Sequence, residues 1–396
     1  MKLSVKILIG LILGVIGGLI AGPTAVPWMK VWISPIGTIF LNLIRMIIVP
    51  VVLASIIAGA ASIGDVKKLG RIGGKIMAFY LGTTAVAVTI GLAIGSLMQP
   101  GKGLVIPTGA KAASKLPPPL QEVLVNIIPS NPFVAMQNAD MLQIIVFALF
   151  IGVGIALVGE KAKPVEAFFN GLAEVTYKII GLIMEFAPFG VFALMMPVVA
   201  VNGPKVLLPL AAVIAAMYIA SFLHLALVYG PSVVIWGKMN PLKFFKGIAP
   251  AMMVAFSTCS SGATLPVTMK CTEENLGVKK EISSFCLPLG ATVNMDGTAI
   301  YCGLAALFVA QAYGIELNTA QYVTIILTGT LASIGAAGVP GAGLIMLTLV
   351  LTSVGLPIEG VALIAGIDRV LDMARTTLNI TGDAAGCVVV SNTEPK

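Results

Sequence analysis

Charged side chains interrupt two otherwise apolar segments in the last third of the 396-residue chain. One segment, GATVNMDGTAIY, contains Asp296. The later stretch GIDRVLDMARTTLNITGDAAG holds three acids and two bases, which are Asp368, Arg369, Asp372, Arg375 and Asp383. A charged group in the hydrocarbon region of a membrane costs about 2.5–3.5 kcal/mol on insertion scales. Structural ion pairs are one explanation, but the acids outnumber the bases, so the cluster predicts a functional site.

Helical spacing places most of these groups on one face. At about 100° per residue, the residues at 368, 372, 375, 379 and 383 fall within an arc of about 80°. Thr376 lies beside this arc. The last helix is therefore predicted to present a column of carboxylate, guanidinium and amide groups.

The column suggests a ligand with both signs of charge. Arg375 offers a planar fork for a carboxylate, and Asp372, about one turn earlier, suits an ammonium. A ligand that carries an amine and a distal carboxylate is an acidic amino acid.

Carboxylate and amide oxygens indicate a bound cation as well. Such oxygens are supplied by Asn294, Asp296, Asn379 and Asp383. The NMDG stretch is predicted to unwind so that backbone carbonyls join them. An oxygen-only shell suits a hard cation such as sodium, because transition metals favour His or Cys. The only histidine, His224, is expected to be a packing residue.

The composition requires a membrane. Hydrophobic residues make up 58% of the chain, charged residues 10%, and the mean hydropathy is +1.02. A soluble domain carries about 25% charged residues. The net charge of +7 is scattered between apolar runs, which argues against nucleic acid as a partner. The sequence predicts an all-α, multi-pass protein of the cell (cytoplasmic or inner) membrane with the lipid bilayer as its partner.

Eight apolar runs are long enough to cross a bilayer, which takes about 20 residues. They lie at about 7–25, 33–63, 76–98, 141–159, 177–200, 206–236, 282–313 and 360–390. Two further regions, 247–270 and 322–357, have short apolar arms separated by FSTCSSGATLP and SIGAAGVPGAG. Each is predicted to be a re-entrant hairpin, since open backbone at membrane depth must line a cavity or protein. Glycine-rich kinks in packed helices are the alternative.

The basic residues predict the orientation. With the N-terminus in the cytoplasm, fifteen of the 24 Lys and Arg residues fall in inside segments and five in outside segments. This asymmetry favours two cytoplasmic termini, provided that neither hairpin crosses.

At these residues the chain resembles the glutamate transporter family, the dicarboxylate/amino acid:cation symporters. The resemblance covers nearly the whole chain. It is most specific in TLPVTM (264–269), LPLGATVNMDGTA (287–299), ASIGAAGVPGAG (332–343) and LDMARTTLNITGD (371–383). It implies eight transmembrane helices with two hairpins and inverted repeats, a homotrimer, and an elevator-type mechanism that needs no cofactor.

The resemblance also divides the chain. Scaffold spans one and two would occupy residues 1–64, and span three, at 65–101, would belong to the transport domain. A loop with spans four and five, at 102–201, would complete the scaffold. Residues 202–396 would complete the transport domain with spans six to eight and both hairpins, the second hairpin being the outer gate.

Site residues follow from the matching motifs. The implied substrate contacts are Ser260, Ser261, Met295, Thr298, Val339, Gly343, Asp372, Arg375, Thr376 and Asn379. One implied sodium site consists of Gly290, Asn294, Asn379 and Asp383. A second consists of Thr292, Ser333, Ile334 and Ala336, and a third of Tyr80, Thr83, Thr84, Asn294 and Asp296. The resemblance thus implies sodium-coupled uptake of glutamate or aspartate.

Two positions depart from the family pattern. Some members carry an arginine at the first hairpin's tip, where this chain has Cys259. Arg369 either supplies that charge from the last helix or pairs with Asp368. Cys302 stands where the animal carriers have a glutamate tied to proton and potassium coupling, which argues against that coupling scheme here.

Other functions fit the sequence less well. An intramembrane serine protease would need a histidine from another helix, and the GxGD loop of an aspartyl protease is absent, so an enzyme is not expected. A channel would spread polar residues over several spans. Within carriers, proton-coupled acidic amino acid transport, a C4-dicarboxylate substrate and a neutral amino acid substrate remain alternatives.

Overall fold

The structure is a computed structural model that describes residues 3–62, 66–104, 125, 128–138, 140–334 and 342–394. Every regular element in these ranges is a helix, which confirms the predicted all-α class. The helices of the first half are α1 (Leu3–Ala21), α2 (Val26–Trp32), α3 (Ser34–Ser62), α4 (Val66–Met98), α5 (Pro132–Asn138), α6 (Met141–Val158) and α7 (Lys163–Asn202).

The second half begins with α8 (Leu207–His224), which continues through a π-helical turn (Leu225–Tyr229) into α9 (Gly230–Ile235). The helices that follow are α10 (Pro241–Thr258), α11 (Ser261–Lys270), α12 (Lys280–Val293), α13 (Asp296–Ala312), α14 (Thr319–Ala332), α15 (Ala342–Ser353), α16 (Val361–Ala365) and α17 (Asp368–Thr393). Short 3-10 turns and a second π-helical turn (Cys271–Asn275) join some of them.

Helices occupy all eight intervals predicted to span the membrane. By length and apolar composition, five helices in the described ranges could cross a bilayer, or six if the pair Val5–Ala21 and Pro23–Trp32, bent by 101°, counts as one span. The predicted seventh span, Ile282–Ala312, is one of the five despite its break, whereas the predicted eighth span is divided between α16 and α17 and is not among them. The number eight therefore stays a prediction.

The seventh predicted span breaks where the sequence indicated. Helix α12 ends at Val293, and α13 begins at Asp296. Between them, Asn294 and Met295 have non-helical backbone angles. All residues of α13 except Gln311 are buried, as expected for a helix that is apolar on every side. The break thus opens the backbone at the centre of the protein.

The first interrupted region forms two helical arms, α10 and α11, that contact each other. Helix α10 ends at Thr258, Cys259 adopts a left-handed conformation with φ 54°, and Ser260 is extended. The arms of the second region, α14 and α15, also contact each other. The tip of the second region, residues 335–341, lies outside the described residues.

The helices pack in two groups. Helices α1 and α3 run along α7, and α6 packs on α3. In the other group, α4 packs along α13, and α17 contacts α10, α12 and α13. The approach of α4 to α13 requires Gly91, because a side chain there would overlap the backbone carbonyl of Ile300.

Salt bridges join the end of α17 to α4. Glu394 accepts hydrogen bonds from Arg71 at 2.6 Å and from Lys75 at 2.7 Å. The two cations hold the pKa of Glu394 below its ordinary value. Helix α17 is thereby fixed against α4 at the end of the bundle.

Candidate binding site

The predicted polar column lies on a buried face of α17. Asp368, Asp372, Arg375, Asn379 and Asp383 are all buried, with no more than 7% of each residue exposed. The regular helix from Asp368 to Thr393 keeps the 100° spacing, so the column forms as predicted.

Arg375 lies at the centre of the polar contacts in the N-terminal half of this column. Its Nη1 donates to Oδ1 of Asp368 at 2.7 Å, and its Nε donates to Oδ1 of Asp372 at 3.3 Å. The guanidinium carbon lies 4.3 Å from the ring centre of Tyr301, which is a cation–π contact. Gly343 of α15 lies directly against the guanidinium, since an added Cβ would come within 2.5 Å of Cζ.

One nitrogen of the guanidinium remains available. Nη2 lies 3.0 Å from Oδ1 of Asp372 but is not aligned for a hydrogen bond. It has no hydrogen-bond partner among the described residues, and Arg375 is only 1% exposed. A buried donor without a partner costs about 1–3 kcal/mol. A carboxylate bound next to Nη2 would remove this cost.

Arg369 contacts the first hairpin and does not pair with Asp368. Its Nη2 lies 3.2 Å and 3.3 Å from the carbonyl oxygens of Ser257 and Thr258, the last residues of α10. Of the two roles considered for Arg369, the geometry therefore favours a positive charge at the hairpin tip. Asp368, two turns before Arg375 on the same face, pairs with Arg375 instead.

Asn379 connects α17 to the non-helical residues between α12 and α13. Its Oδ1 accepts a hydrogen bond from the backbone N–H of Gly297 at 2.8 Å, and its Nδ2 lies 3.1 Å from the sulfur of Met295. Thr376 donates to Asp372 at 3.3 Å. The structure thus brings Met295, Asp372, Arg375, Thr376 and Asn379 together.

The remaining substrate candidates lie on the hairpins and on α13. Ser261 and Thr298 are buried, and the Ser260 hydroxyl caps α11 by accepting from the N–H of Ala263. Val339 lies outside the described residues. Helices α11 and α15 both begin next to this site, and helix N-termini favour anions.

The first cation candidates cluster around Asp383. Asn294 Nδ2 donates to Oδ1 of Asp383 at 3.0 Å and to the carbonyl of Asn379 at 3.2 Å. Gly290 lies against Asp383 and the Tyr80 hydroxyl, because an added Cβ would come within 2.6 Å of both oxygens. The Oδ1 atom of Asn294 is buried and has no donor among the described residues. An acceptor of this kind fits a cation.

Only some residues of the third set of cation candidates form hydrogen bonds with one another. Thr84 donates to Oδ1 of Asp296 at 2.6 Å. The Thr83 hydroxyl bonds to the carbonyl of Tyr80 within its own helix, and the Tyr80 hydroxyl donates to the carbonyl of Cys286 at 3.0 Å. Of Tyr80, Thr83 and Thr84, only Thr84 donates a hydrogen bond to an acidic side chain among the described residues.

The two hydroxyls of the second set, those of Thr292 and Ser333, each bond to a backbone carbonyl three residues earlier. Thr292 is exposed, and its hydroxyl bonds to Leu289 within α12. Ser333 and Ile334 are buried at the end of the first arm of the second hairpin, where the Ser333 hydroxyl bonds to Thr330. Ala336 lies outside the described residues. Their role at a gate stays a prediction.

His224 is not the packing residue that was expected. Its Nε2 lies 3.0 Å from Oδ2 of Asp296, and Tyr229 donates to the same oxygen at 2.7 Å. Tyr229 and Tyr301 also contribute to the site without having been predicted. His224 is separated from Asp296 by 72 residues, so no local pattern could have paired them. A single histidine among apolar residues was the only available signal.

Comparisons with known proteins show which family the chain resembles. The model of the sodium:dicarboxylate symporter family matches residues 3–393. The proton/sodium-glutamate symport protein of Geobacillus stearothermophilus is 40% identical over 92% of this chain and 89% of its own length. The proton/glutamate-aspartate symporter of Escherichia coli is 35% identical over 92% and 86%, and the C4-dicarboxylate transport protein of Rhizobium etli is 35% identical over 91% and 83%.

Proposed function

Because the chain belongs to the sodium:dicarboxylate symporter family, a family of multi-pass membrane transporters that implies no cofactor, we propose that it takes up glutamate or aspartate together with sodium. The observation that carries the substrate class is the buried Nη2 of Arg375, which has no hydrogen-bond partner in the part of the chain described. The substrate crosses unchanged, so the protein is a carrier and not an enzyme.

The charges of the column match the three charged groups of an acidic amino acid. The side-chain carboxylate binds at Nη2 of Arg375, and the ammonium binds at Asp372. The α-carboxylate lies between the N-termini of α11 and α15, where backbone N–H groups favour an anion. A C4-dicarboxylate has no ammonium group for Asp372 to bind. A neutral amino acid has no side-chain carboxylate for Arg375 to bind.

Sodium is supported by the oxygens around the two remaining acids. Asn294 donates to Asp383 through Nδ2 and has a buried Oδ1 without a donor among the described residues. Asp296 has the Thr84 hydroxyl. A proton needs only one carboxylate, whereas sodium needs several oxygens. Proton coupling is the second candidate, because the relatives' names include protons as well as sodium.

The movement is proposed to follow the two packing groups. Residues 1–64 and 102–201 form the scaffold of a homotrimer, and residues 65–101 and 202–396 carry the site across the membrane like an elevator. The packing of α1, α3, α6 and α7 on one side, and of α4, α13 and α17 on the other, supports this division. Both termini lie in the cytoplasm, and the protein lies in the inner membrane.

Uptake into proteoliposomes tests the proposal. We expect labelled aspartate and glutamate to accumulate under a sodium gradient, and succinate and alanine to accumulate poorly. Choline in place of sodium is the control for the ion, and empty liposomes are the control for leakage. Uptake driven by a pH gradient in choline would instead establish proton coupling, and accumulation of succinate alone would overturn the assigned substrate.

A further inference from the structure

Asp296 is held by side chains from two helices other than its own. Thr84 of α4 donates to Oδ1 at 2.6 Å. His224 and Tyr229 both meet Oδ2, at 3.0 Å and 2.7 Å. All four residues are 0% exposed, so protein groups replace water around this carboxylate.

The π-helical turn explains how His224 and Tyr229 reach the same oxygen. In a regular α-helix, residues five apart point about 140° away from each other. In a π-helical turn the hydrogen bond runs between residues five apart, so their side chains lie on one face. The N–H of Gly230 bonds to the carbonyl of Leu225 in this way. The two rings then meet edge to face, with centroids 4.7 Å apart.

The last helix leaves room for the tyrosine. A Cβ at Gly382 would overlap the Tyr229 hydroxyl, so only glycine allows the hydroxyl to pass between α17 and Asp296. Gly382 precedes Asp383, which holds Asn294. The Tyr229 hydroxyl therefore lies close to both acids of the proposed cation sites.

The hydrogen-bond pattern leaves one side of Asp296 for an ion. In the part of the chain that the structure describes, Oδ2 meets Tyr229 and the Nε2 of His224, whereas Oδ1 accepts from Thr84 alone. A hydroxyl that donates its single proton to a carboxylate keeps its lone pairs for another partner. Oδ1 of Asp296 and the oxygen of Thr84 are thus the available ligands.

One tautomer of the histidine fits the contact to Asp296. Its Nδ1 is buried and has no hydrogen-bond partner among the described residues. A proton on Nδ1 would be a buried donor without an acceptor, which is costly. The tautomer with the proton on Nε2 donates to Oδ2 of Asp296.

We propose that His224 and Tyr229 are positioning residues of the Asp296 cation site, which fix Oδ2 so that Oδ1 and Thr84 face the ion. The inference rests on the proposed function, since it concerns sodium binding. The inference distinguishes residues that position the cation site from residues that bind the amino acid. Loss of His224 or Tyr229 changes the response to sodium, while the groups that bind the amino acid keep their geometry.

Sodium titration of aspartate uptake tests the inference. We expect Tyr229→Phe and His224→Leu to raise the sodium concentration for half-maximal uptake roughly tenfold, as expected for losing one hydrogen bond to a buried charge. At saturating sodium the KM for aspartate should return to that of the unchanged protein. His224→Gln, which keeps an N–H donor, should recover part of the sodium affinity.

Ser221→Ala is the matched control. Ser221 is buried in the same helix, about one turn before His224, and its hydroxyl has no hydrogen-bond partner in the described ranges. It should leave the sodium response unchanged. Size-exclusion profiles show whether each variant is folded.

Unchanged sodium half-saturation in both Tyr229→Phe and His224→Leu would overturn the inference while leaving sodium coupling intact. So would a loss of maximal rate without a sodium shift, or a loss of folding in every variant including His224→Gln, because the role would then be structural. If uptake by the unchanged protein ignored sodium, the proposed function would fail first, and the inference with it.

Discussion

At the scale of residues, the proposed substrate specificity rests on one arginine. Arg375 lies between Asp368 and Asp372, and both acids use its Nη1 or Nε and leave Nη2 without a hydrogen bond in the described part of the chain. The two acids keep the guanidinium in place in a dry environment, where a charge-assisted hydrogen bond from Nη2 is strong. This arrangement is the basis for proposing that the site binds a carboxylate.

We predict that Arg375→Ser abolishes high-affinity binding of aspartate and glutamate and allows neutral amino acids to bind. Loss of a buried hydrogen-bonded charge costs about 2–5 kcal/mol, which is at least a tenfold loss of affinity. Isothermal titration calorimetry at saturating sodium measures it. Arg375→Lys is the control, because it keeps the charge without the fork. Unchanged affinity in Arg375→Ser would disprove the assignment.

Asp372→Asn should weaken the binding of every amino acid, since all of them share the ammonium group. The same calorimetry should show an affinity loss of at least about tenfold for aspartate, because the substitution removes a buried charge partner. A C4-dicarboxylate, which lacks the ammonium, should not lose affinity. If aspartate bound as before, the ammonium would have to bind elsewhere.

The neighbouring threonines of α4 form a matched pair. Thr84 donates to Asp296, whereas the Thr83 hydroxyl bonds only to its own helix. We predict that Thr84→Ala raises the sodium concentration for half-maximal uptake roughly tenfold, because a hydrogen bond to a buried carboxylate is lost. Thr83→Ala should have a smaller effect. A larger effect of Thr83→Ala would indicate that Thr83 turns toward the ion when sodium binds.

At the scale of elements, helix ends and breaks supply the open backbone that a binding site needs. The last carbonyls of α10 would be unpaired at the left-handed Cys259, and Arg369 of α17 binds two of them. A cation at a helix C-terminus is also favoured by the helix dipole. The first hairpin is therefore attached to α17, which carries Arg375.

We predict that Arg369→Ala loosens the tip of the first hairpin. Cys259 is 1% exposed, so it should react slowly with a maleimide and about threefold to tenfold faster in the variant, because hydrogen bonds to a charged group are lost. Mass spectrometry identifies the modified cysteine. Arg369→Lys should restore part of the protection, and equal rates in all three proteins would show that Arg369 does not hold the tip.

At the scale of the whole molecule, the hairpins decide the topology. If neither hairpin crosses the membrane, the segments before and after each one lie on the same side. Lys243 and Lys279 flank the first hairpin region, and both side chains are exposed. The five native cysteines are buried, which gives a low background for labelling introduced cysteines.

We predict that single cysteines at 243 and 279 react with a membrane-impermeant maleimide only from the cytoplasmic side. A cysteine at the exposed position 205 serves as the control and should react from the outside. The expected contrast is near-complete labelling from one side and background labelling from the other. Labelling of 243 and 279 from opposite sides would mean that the first hairpin crosses the membrane.

Local patterns in the sequence determined the class of the protein and much of its site. Hydropathy indicated a membrane protein, and the 100° spacing placed Asp368, Asp372 and Arg375 on one face, because both depend only on neighbours along the chain. The interruption at NMDG was also readable, since residues 294–295 are indeed not helical. The motifs of the last third were sufficient to indicate the family.

Only the tertiary structure decided which partner each polar group has. It paired Asp368 with Arg375, sent Arg369 to the first hairpin, and brought His224 and Tyr229 to Asp296. Apart from the Asp368–Arg375 pair within α17, these contacts join helices that are far apart in the chain, so they depend on the rotation and depth of one helix against another. Periodicity gives the face of a helix but not the neighbour that covers it, and a π-helical turn changes even the face.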